Sequence, residues 1–570
     1  VADSLYLVLR GRFSVERAGD IIADISVGEP VGELAFFTGG TRTANVRAAR
    51  DSEVLCLSRD SYDAICQKIP LISQSILATI SGRLSAAIGH VETLRPRVGR
   101  IVALFPVGDK KLPGPLVDGL MASFAGRDDW RILRPSDVPV ETTDLEGWLH
   151  REEALGRRIL MVCEDPNTHS EWLTVAMGNC DSAMLCAPML PDGSQPQMLA
   201  AKDAPFLQAS RETSTHLLIY REATPTPITG TAAWLTHHDV GLHHHLALDN
   251  GGDFARVGRF IRGEAIGLVL SGGGAFGAAH IGALKALQER GFVFDMVGGT
   301  SIGSAMAAII GLGLPPEEGV AISQEMFVKK KSMGRLTFPL YSMLDHHRFD
   351  SQLQKHCRGL NVEDMPLNFF SLAANLRDNS VKLMRRGPLW QAIRASSALP
   401  GVLPPFVNSA GDVLIDGGLL DNVPITQMRR IKSGPNLILN FNHGGQWQVT
   451  ARYSSLPGRL GALARFLGLQ KMPKPRFPII SSILARSMVV SARQLMDRTD
   501  LGSDALVELK TLPGMGFLEW SKSKKQFDAS YAEISQLLDD LQIQQASHNP
   551  AEQIDQLSRI GAHLSDPMAT

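Results

Sequence analysis

The tightest constraint on this chain is a pair of glycine-rich turns, each set between an apolar strand and a helix. Ala265-Ile266-Gly267-Leu268-Val269-Leu270 suits a strand buried on both faces. It enters Ser271-Gly272-Gly273-Gly274-Ala275-Phe276-Gly277. Ala278 to Arg290 then reads as a helix with Ile281, Leu284 and Leu287 on one side and Gly291 as its stop. Without Cβ atoms, the backbone N–H groups of the turn can approach an anion closely, and the helix N-terminus adds positive potential. Phe292 to Val297 reads as a second strand, leading into Gly298-Gly299-Thr300-Ser301-Ile302-Gly303 and a small-residue helix from Ser304 to Ile309.

Gly272, Gly274 and Gly277 also satisfy Gly-x-Gly-x-x-Gly, with Asp295 at a tolerable distance. A dinucleotide site and a simple packing turn therefore compete for the first turn. The second turn tips the balance, because Gly299-x-Ser301-x-Gly303 is the nucleophile-elbow pattern in its strand–turn–helix setting. A serine needs a base. The strand Val413-Leu414-Ile415 ends in Asp416-Gly417-Gly418, where a carboxylate at an apolar strand end is partly desolvated and its pKa rises. The bland alternative is an Asx turn at Asp416. His443, after a strand from Leu437 to Asn440, offers a competing Ser…Asp…His order. His280 is expected to pack on its helix, and Ser396 and Ser397 read as helix-end residues.

At these residues the chain resembles the patatin-like phospholipases, and within them the neuropathy target esterase branch. The matching stretches are Gly272 to Gly277, Gly299 to Gly303 and Asp416-Gly417-Gly418, with His280-Ile281-Gly282-Ala283-Leu284-Lys285-Ala286-Leu287 also close to that branch. The resemblance runs from Asp253 to about Phe441. It implies a patatin-type α/β/α sandwich with a Ser–Asp dyad: Ser301 as nucleophile, Asp416 as base, and the N–H groups of Gly272, Gly273 and Gly274 as oxyanion hole. It favours the dyad over a triad through His443. One departure is Phe276, where the family usually carries Arg or Lys; this puts efficiency and head-group preference in question.

The rest of the chain is ordered around that block. Residues 1–92 are dense in short strands broken by Gly and charged turns, as in a β-roll, with a helix expected over 61–92. Gly32-Glu33-Leu34-Ala35-Phe36-Phe37 and Thr41-Arg42-Thr43-Ala44-Asn45-Val46 resemble the phosphate cassette of cyclic nucleotide-binding domains. In that resemblance Arg42, beside Thr43, pairs with a cyclic phosphate and Glu33 accepts from the ribose hydroxyl. Cyclic AMP or cyclic GMP is thus a candidate regulator, against a β-roll that no longer binds. Residues 98–250 alternate strands and helices, the pattern of a Rossmann-like parallel-sheet spacer. The hydrolase block is expected over 258–535 and a loosely packed polar helix or tail over 541–570. The fold class is α/β throughout, β-roll excepted.

Composition closes off other classes. Hydrophobic residues make up 44% and charged residues 20%, ordinary for a chain with packed cores; 57 Lys and Arg against 58 Asp and Glu leave no basic excess for nucleic acid. Six cysteines without a Cys-x-x-Cys pair point to a reducing, cytoplasmic setting. His237, His238, His243, His244 and His245 lack the partners of a closed metal site, so neither metal nor catalytic cofactor is expected. No apolar run is long enough to span a bilayer; the chain opens Val1-Ala2-Asp3 without Met, which leaves room for an upstream anchor.

A phospholipid substrate implies a membrane surface. Residues 452–498 carry Arg452, Arg459, Arg465, Lys471, Lys474, Arg476, Arg486, Arg493 and Arg498 against Asp497, interleaved with apolar residues; Lys329-Lys330-Lys331 ahead of Met333, Leu336, Phe338 and Leu340 is a second candidate contact. The expected activity is hydrolysis of acyl esters in phospholipids or lysophospholipids. The rival is a nucleotide-sensing or lipid-binding module with a weak hydrolase site.

Overall fold

The computed structural model describes residues 3–17, 20–25, 27–69, 71–73, 76, 96, 98–108, 110–191, 193–194, 215–224, 227–238, 240–442, 452–466, 477, 483, 486–487, 490, 493, 496 and 499–565. The chain divides into two compact units, Val1–Gly263 with Arg429–Ser433, and Glu264–Met428 with Gly434–Thr570.

The first unit opens with short antiparallel strands: β1 (Ser4–Arg10), β2 (Phe13–Arg17), β3 (Asp20–Ile25), β4 (Pro30–Val31), β5 (Asn45–Ala48) and β6 (Glu53–Ser58). They form two three-stranded sheets, β4-β1-β6 and β3-β2-β5. Phe36, fully buried, packs with Leu5 and Tyr62, so the helix Glu33–Thr38 is seated on the roll. The helix expected over 61–92 is described as Arg59–Lys68, capped by Ser58 Oγ accepting from Ser61 N at 3.2 Å; residues 77–95 lie outside the described residues.

A six-stranded sheet follows, built from β7 (Ile101–Pro106), β8 (Trp130–Leu133), β9 (Arg158–Val162), β10 (Ser182–Pro188), β11 (Thr215–Arg221) and β12 (Leu242–Ala247), every pairing parallel. All six residues of β7 are buried, as a strand covered on both faces requires. The order β12-β11-β10-β7-β9-β8 differs from the expected Rossmann-like sheet, in which the second strand neighbours the first. Here the first crossover carries β8 to the edge and β9 fills the gap.

Arg50, two residues beyond β5, ties the roll to this sheet's helices. Its guanidinium donates to Glu153 Oε1 and Oε2 at 2.7 and 2.8 Å and to the Asn179 carbonyl at 3.0 Å, and Asp181 stands 3.8 Å from its Nε. All these side chains are buried, so an unpartnered charge left among them is expensive. Glu153→Ala is expected to lower the stability of this unit by about 3–5 kcal/mol in urea unfolding. Arg151→Ala, on the exposed side of the same helix, is expected to change it by no more than about 0.5 kcal/mol.

The second unit is built on an eight-stranded mixed sheet: β13 (Gly267–Leu270), β14 (Met296–Thr300), β15 (Asn368–Asn375), β16 (Ser380–Met384), β17 (Phe406–Val407), β18 (Val413–Asp416), β19 (Asn436–Asn442) and β20 (Ala505–Lys510). Its order is β17-β18-β15-β14-β13-β19-β20, with β16 also on β15. β13 pairs in parallel with β14 and β19, while β18 runs antiparallel to β15. Every residue of β13 and β14 is buried, so both faces of the sheet are covered.

Two expectations shift. The strand expected over Phe292 to Val297 is instead Met296–Thr300, because Phe292 N bonds back to Leu287 O as a helix end and Asp295 is spent on Ile266: Asp295 N donates to Ile266 O and Oδ2 accepts from Ile266 N. That use of Asp295 also removes the acid that a dinucleotide site would need. Residues 550–565, expected as a loosely packed helix or tail, form a helix that is well packed instead, with Ile554, Leu557 and Ile560 buried in the main core. A Cβ at Gly561 would lie 1.9 Å from Leu506 O, so the glycine lets this helix lie directly on β20.

Candidate active site

The site lies at the carboxyl ends of β13 and β14, where parallel sheets of this kind hold ligands. β14 delivers Ser301 into the helix Ile302–Gly311 with φ 55° and ψ −127°. A serine in this left-handed region is strained, and strain persists only where the surroundings impose it. They do. A Cβ on Gly299 would come within 2.5 Å of Gly303 C, and one on Gly303 within 2.3 Å of Leu270 O. The elbow closes only with glycine on both sides of the serine.

Ser301 Oγ donates to Asp416 Oδ2 at 2.6 Å. The sheet register sets this up: Thr300 pairs with Leu372 and Asp416 pairs with Ala373, so the ends of β14 and β18 come level on either side of β15. Asp416 Oδ1 accepts from Gly418 N at 2.9 Å. Burial pushes the Asp416 pKa up to about 7, against the lowering effect of the Ser301 hydroxyl and the Gly418 amide. A short hydrogen bond to a carboxyl that titrates near neutrality can pass the serine proton to the acid.

The glycine turn stands beside the serine. Gly272 exchanges backbone bonds with Asn422: its N donates to Asn422 O at 3.2 Å, and Asn422 Nδ2 donates to Gly272 O at 3.1 Å. The Gly272 N–H is therefore already committed. Of the three amides expected as anion donors, those of Gly273 and Gly274 have no partner among the described residues. Gly274 lines the same pocket as Ser301 and Asp416, and a Cβ there would meet Phe517 O at 2.4 Å. Phe276 is buried with its ring 6.1 Å from that of Phe441, so no cation stands at that position. His280 sits on the helix after the turn, its ring 4.4 Å from Phe441 and its Nε2 3.0 Å from Ser271 O. Burial lowers its pKa to about 4, so it stays neutral and braces the turn from behind.

Sequence reasoning passed over three further residues. Ser396, read as a helix-end residue, accepts from Ser301 N at 2.8 Å and donates to Leu372 O at 2.6 Å, fixing the elbow to β15. Asn422 holds Gly272. Asp421 takes Val423 N at 3.2 Å, and burial raises its pKa to about 7. Two polar residues directly after Asp416-Gly417-Gly418-Leu419-Leu420 were the available signal. His443 and residues 471–476 lie outside the described residues, as do Asp497 and Arg498. Glu33 is buried at the start of its helix. Arg42, three residues beyond Gly39 and next to Thr43, donates to Gly32 O and Ser4 O at 2.7 Å each. His216 Nδ1 and His244 Nε2 lie 3.1 Å apart, placing part of the histidine cluster within the six-stranded sheet.

Ser301 and Asp416 open onto an apolar pocket walled by Ile302, Met306, Ile309, Met326, Phe327 and Trp520 among others. Phe327 and Trp520 stack with centroids 3.7 Å apart. Among the described residues, His356 is the one imidazole that lines it, and neither Lys nor Arg does.

A buried serine–carboxyl pair at a strained elbow, next to an apolar pocket, is an arrangement fit for ester hydrolysis, and the family comparisons are those of a lipid-hydrolysing esterase. The patatin-like phospholipase family matches residues 268–429 and the cyclic nucleotide-binding domain matches residues 1–69. An uncharacterized NTE family protein of Mycobacterium tuberculosis is 30% identical over 439 residues, covering 75% of this chain and 70% of its own. The neuropathy target esterase sws of Drosophila melanogaster is 27% identical over 508 residues, covering 78% of this chain and 35% of its own. The solved VipD protein of Legionella pneumophila is 16% identical, covering 49% of this chain and 67% of its own, with a TM-score of 0.26. The chain belongs to the NTE family of patatin-like phospholipases.

The Asp416 carboxyl gives a stability test. Its pKa is raised in the fold, so its contribution is fully present below the ordinary value of 3.8 and is lost as pH rises toward about 7. Asp416→Asn keeps the neutral form at every pH. Its melting temperature is expected to exceed that of the wild type at pH 8, the difference shrinking toward pH 4 in thermal scans.

Proposed function

We propose that Ser301 and Asp416 hydrolyse acyl esters of lysophospholipids or phospholipids as a dyad. The observation that carries this is the 2.6 Å bond from Ser301 Oγ to a buried carboxyl at the wall of an apolar pocket. Ser301 Oγ attacks the ester carbonyl as its proton passes to Asp416 Oδ2. The N–H groups of Gly273 and Gly274 meet the charge that develops on the carbonyl oxygen. Asp416 returns the proton to the leaving alcohol, and water then attacks the acyl-enzyme with Asp416 again as base. Among the described residues no Lys or Arg lines the pocket, and its apolar wall suits an acyl chain.

Ser301→Ala is expected to abolish fluorophosphonate labelling and to lower lysophospholipid hydrolysis by about 10³-fold or more. Labelling that survives in the variant would sink the assignment. Turnover should rise as pH increases through about 7, because the base must be ionised. Asp421 titrates in the same range. Asp421→Asn is therefore expected to keep the inflection, which belongs to Asp416.

The described N-terminal roll supports a second role, sensing of a cyclic nucleotide. Arg42 is exposed and donates to two carbonyl oxygens, bonds that a phosphate can replace with a charge-assisted pair. Calorimetry with cyclic AMP and cyclic GMP is expected to show binding that Arg42→Ala removes; no heat from either nucleotide would end this reading. No helix among the described residues is long and apolar enough to cross a membrane. The proposed substrate nonetheless requires the chain to work at a lipid surface, as a peripheral protein.

A further inference from the structure

Between the helices Pro316–Ser323 and His347–Cys357 the chain leaves the pocket wall, crosses open solvent and returns to it. Met326 and Phe327 line the pocket from a wide helical turn, Gln324–Lys329. Lys329, Lys330 and Lys331 follow, all exposed and none in an ion pair with a described residue. Ser332 is fully buried, with N and Oγ both donating to Met326 O at 3.0 and 2.6 Å, and Met333 turns back into the pocket.

Residues 335–345 then form a small hairpin. Leu336 bridges Leu344, Thr337 N donates to Met343 O at 3.0 Å, and Asp345 N donates to Arg335 O at 2.9 Å. Its tip holds Leu336, Phe338, Leu340 and Tyr341 at 61%, 84%, 70% and 80% exposure. The returning limb is bonded to the segment beside the pocket residue Leu399: Met343 N to Gly401 O and Leu344 N to Val402 O, at 2.8 and 3.0 Å. Both roots of the hairpin are thus attached to the pocket wall.

Four large apolar side chains within six residues are an unusual load to leave in water, and such patches mark contact sites. The nearby charges identify the partner. Three exposed lysines precede the tip, and Arg335 at its base is 3.4 Å from Asp345. Aromatic and aliphatic groups that enter the acyl boundary, with cations left at the headgroups, match an anionic lipid surface. The single bridge offers no extended strand edge for a protein strand to join.

We propose that the hairpin 335–345 is a membrane-inserting element that seats the Ser301 pocket on an anionic lipid leaflet. This rests on the reading of that pocket as an acyl site. The test uses full-length Ser301→Ala as a bait that does not consume lipid, floated with vesicles of phosphatidylcholine alone or mixed with phosphatidylglycerol. Phe338→Ser, Leu340→Ser and Tyr341→Ser together are expected to weaken binding about tenfold or more. Gln at positions 329, 330 and 331 is expected to remove the preference for phosphatidylglycerol and its salt dependence. In the active chain the tip substitutions should leave hydrolysis of a soluble short-chain ester within about twofold, while hydrolysis of vesicle-borne lysophospholipid falls about tenfold.

Vesicle binding unchanged by the tip substitutions would overturn the proposal. So would a tip variant that dissociates a dimer and still floats with lipid, which would make the tip a contact between copies. An unsubstituted chain that hydrolyses no ester would overturn the hydrolase reading alone, because binding is measured on the inert variant.

Discussion

The hydrogen bond between Ser301 and Asp416 joins the ends of two strands that do not neighbour one another. β15 lies between them, and its own groups take part: Leu372 O accepts from Ser396, which in turn holds Ser301 N. Bringing two side chains within 2.6 Å across an intervening strand requires backbones to come closer than side chains allow. This is why a Cβ at Gly417 would fall 2.3 Å from Leu372 O, as one at Gly303 would from Leu270 O. The glycines at the three motifs are steric conditions for one bond.

The same closeness sets the electrostatics. Excluding water from Asp416 raises its pKa toward neutrality, since the charged form loses hydration and regains only the Ser301 hydroxyl and one amide. A fully solvated carboxylate would be too weak a base for a serine, and one dried without hydrogen bonds would remain protonated. The pocket that dries the carboxyl is also the acyl cavity, so an occupied pocket excludes water from the base further.

The parts legible in the sequence were those in which a backbone demand selects a residue type. Glycine beside Ser301 and after Asp416 is visible because no other residue fits, and β13 is visible because burial on both faces leaves an unbroken apolar run. The parts that were not legible depend on partners far along the chain. Ser396 looks like any serine at a helix end until β15 brings Leu372 O beneath it. The helix at 550–565 read as polar because its apolar residues are only one face in three. The start of β14 was misplaced because Asp295 and Phe292 are engaged by Ile266 and Leu287, which sequence spacing does not reveal.

Phe276 shows what kind of site this is. Phe276 packs its ring on Phe441 beside the glycine turn, and among the described residues no Lys or Arg lines the pocket. What remains to meet an anion is backbone: the N–H groups of Gly273 and Gly274, and the N-terminus of the helix Ile302–Gly311, which begins at Ser301 itself. Such dipoles are fixed by the fold and cost nothing to reorient during reaction. They also leave the carboxyl of Asp416 unpaired with any fixed positive side chain, so desolvation is free to hold its pKa near 7. An Arg or Lys in contact with that carboxyl would pull it back down. The apolar substitution at 276 and the raised acidity constant of the proposed base are thus compatible features of one dry, backbone-polarised site.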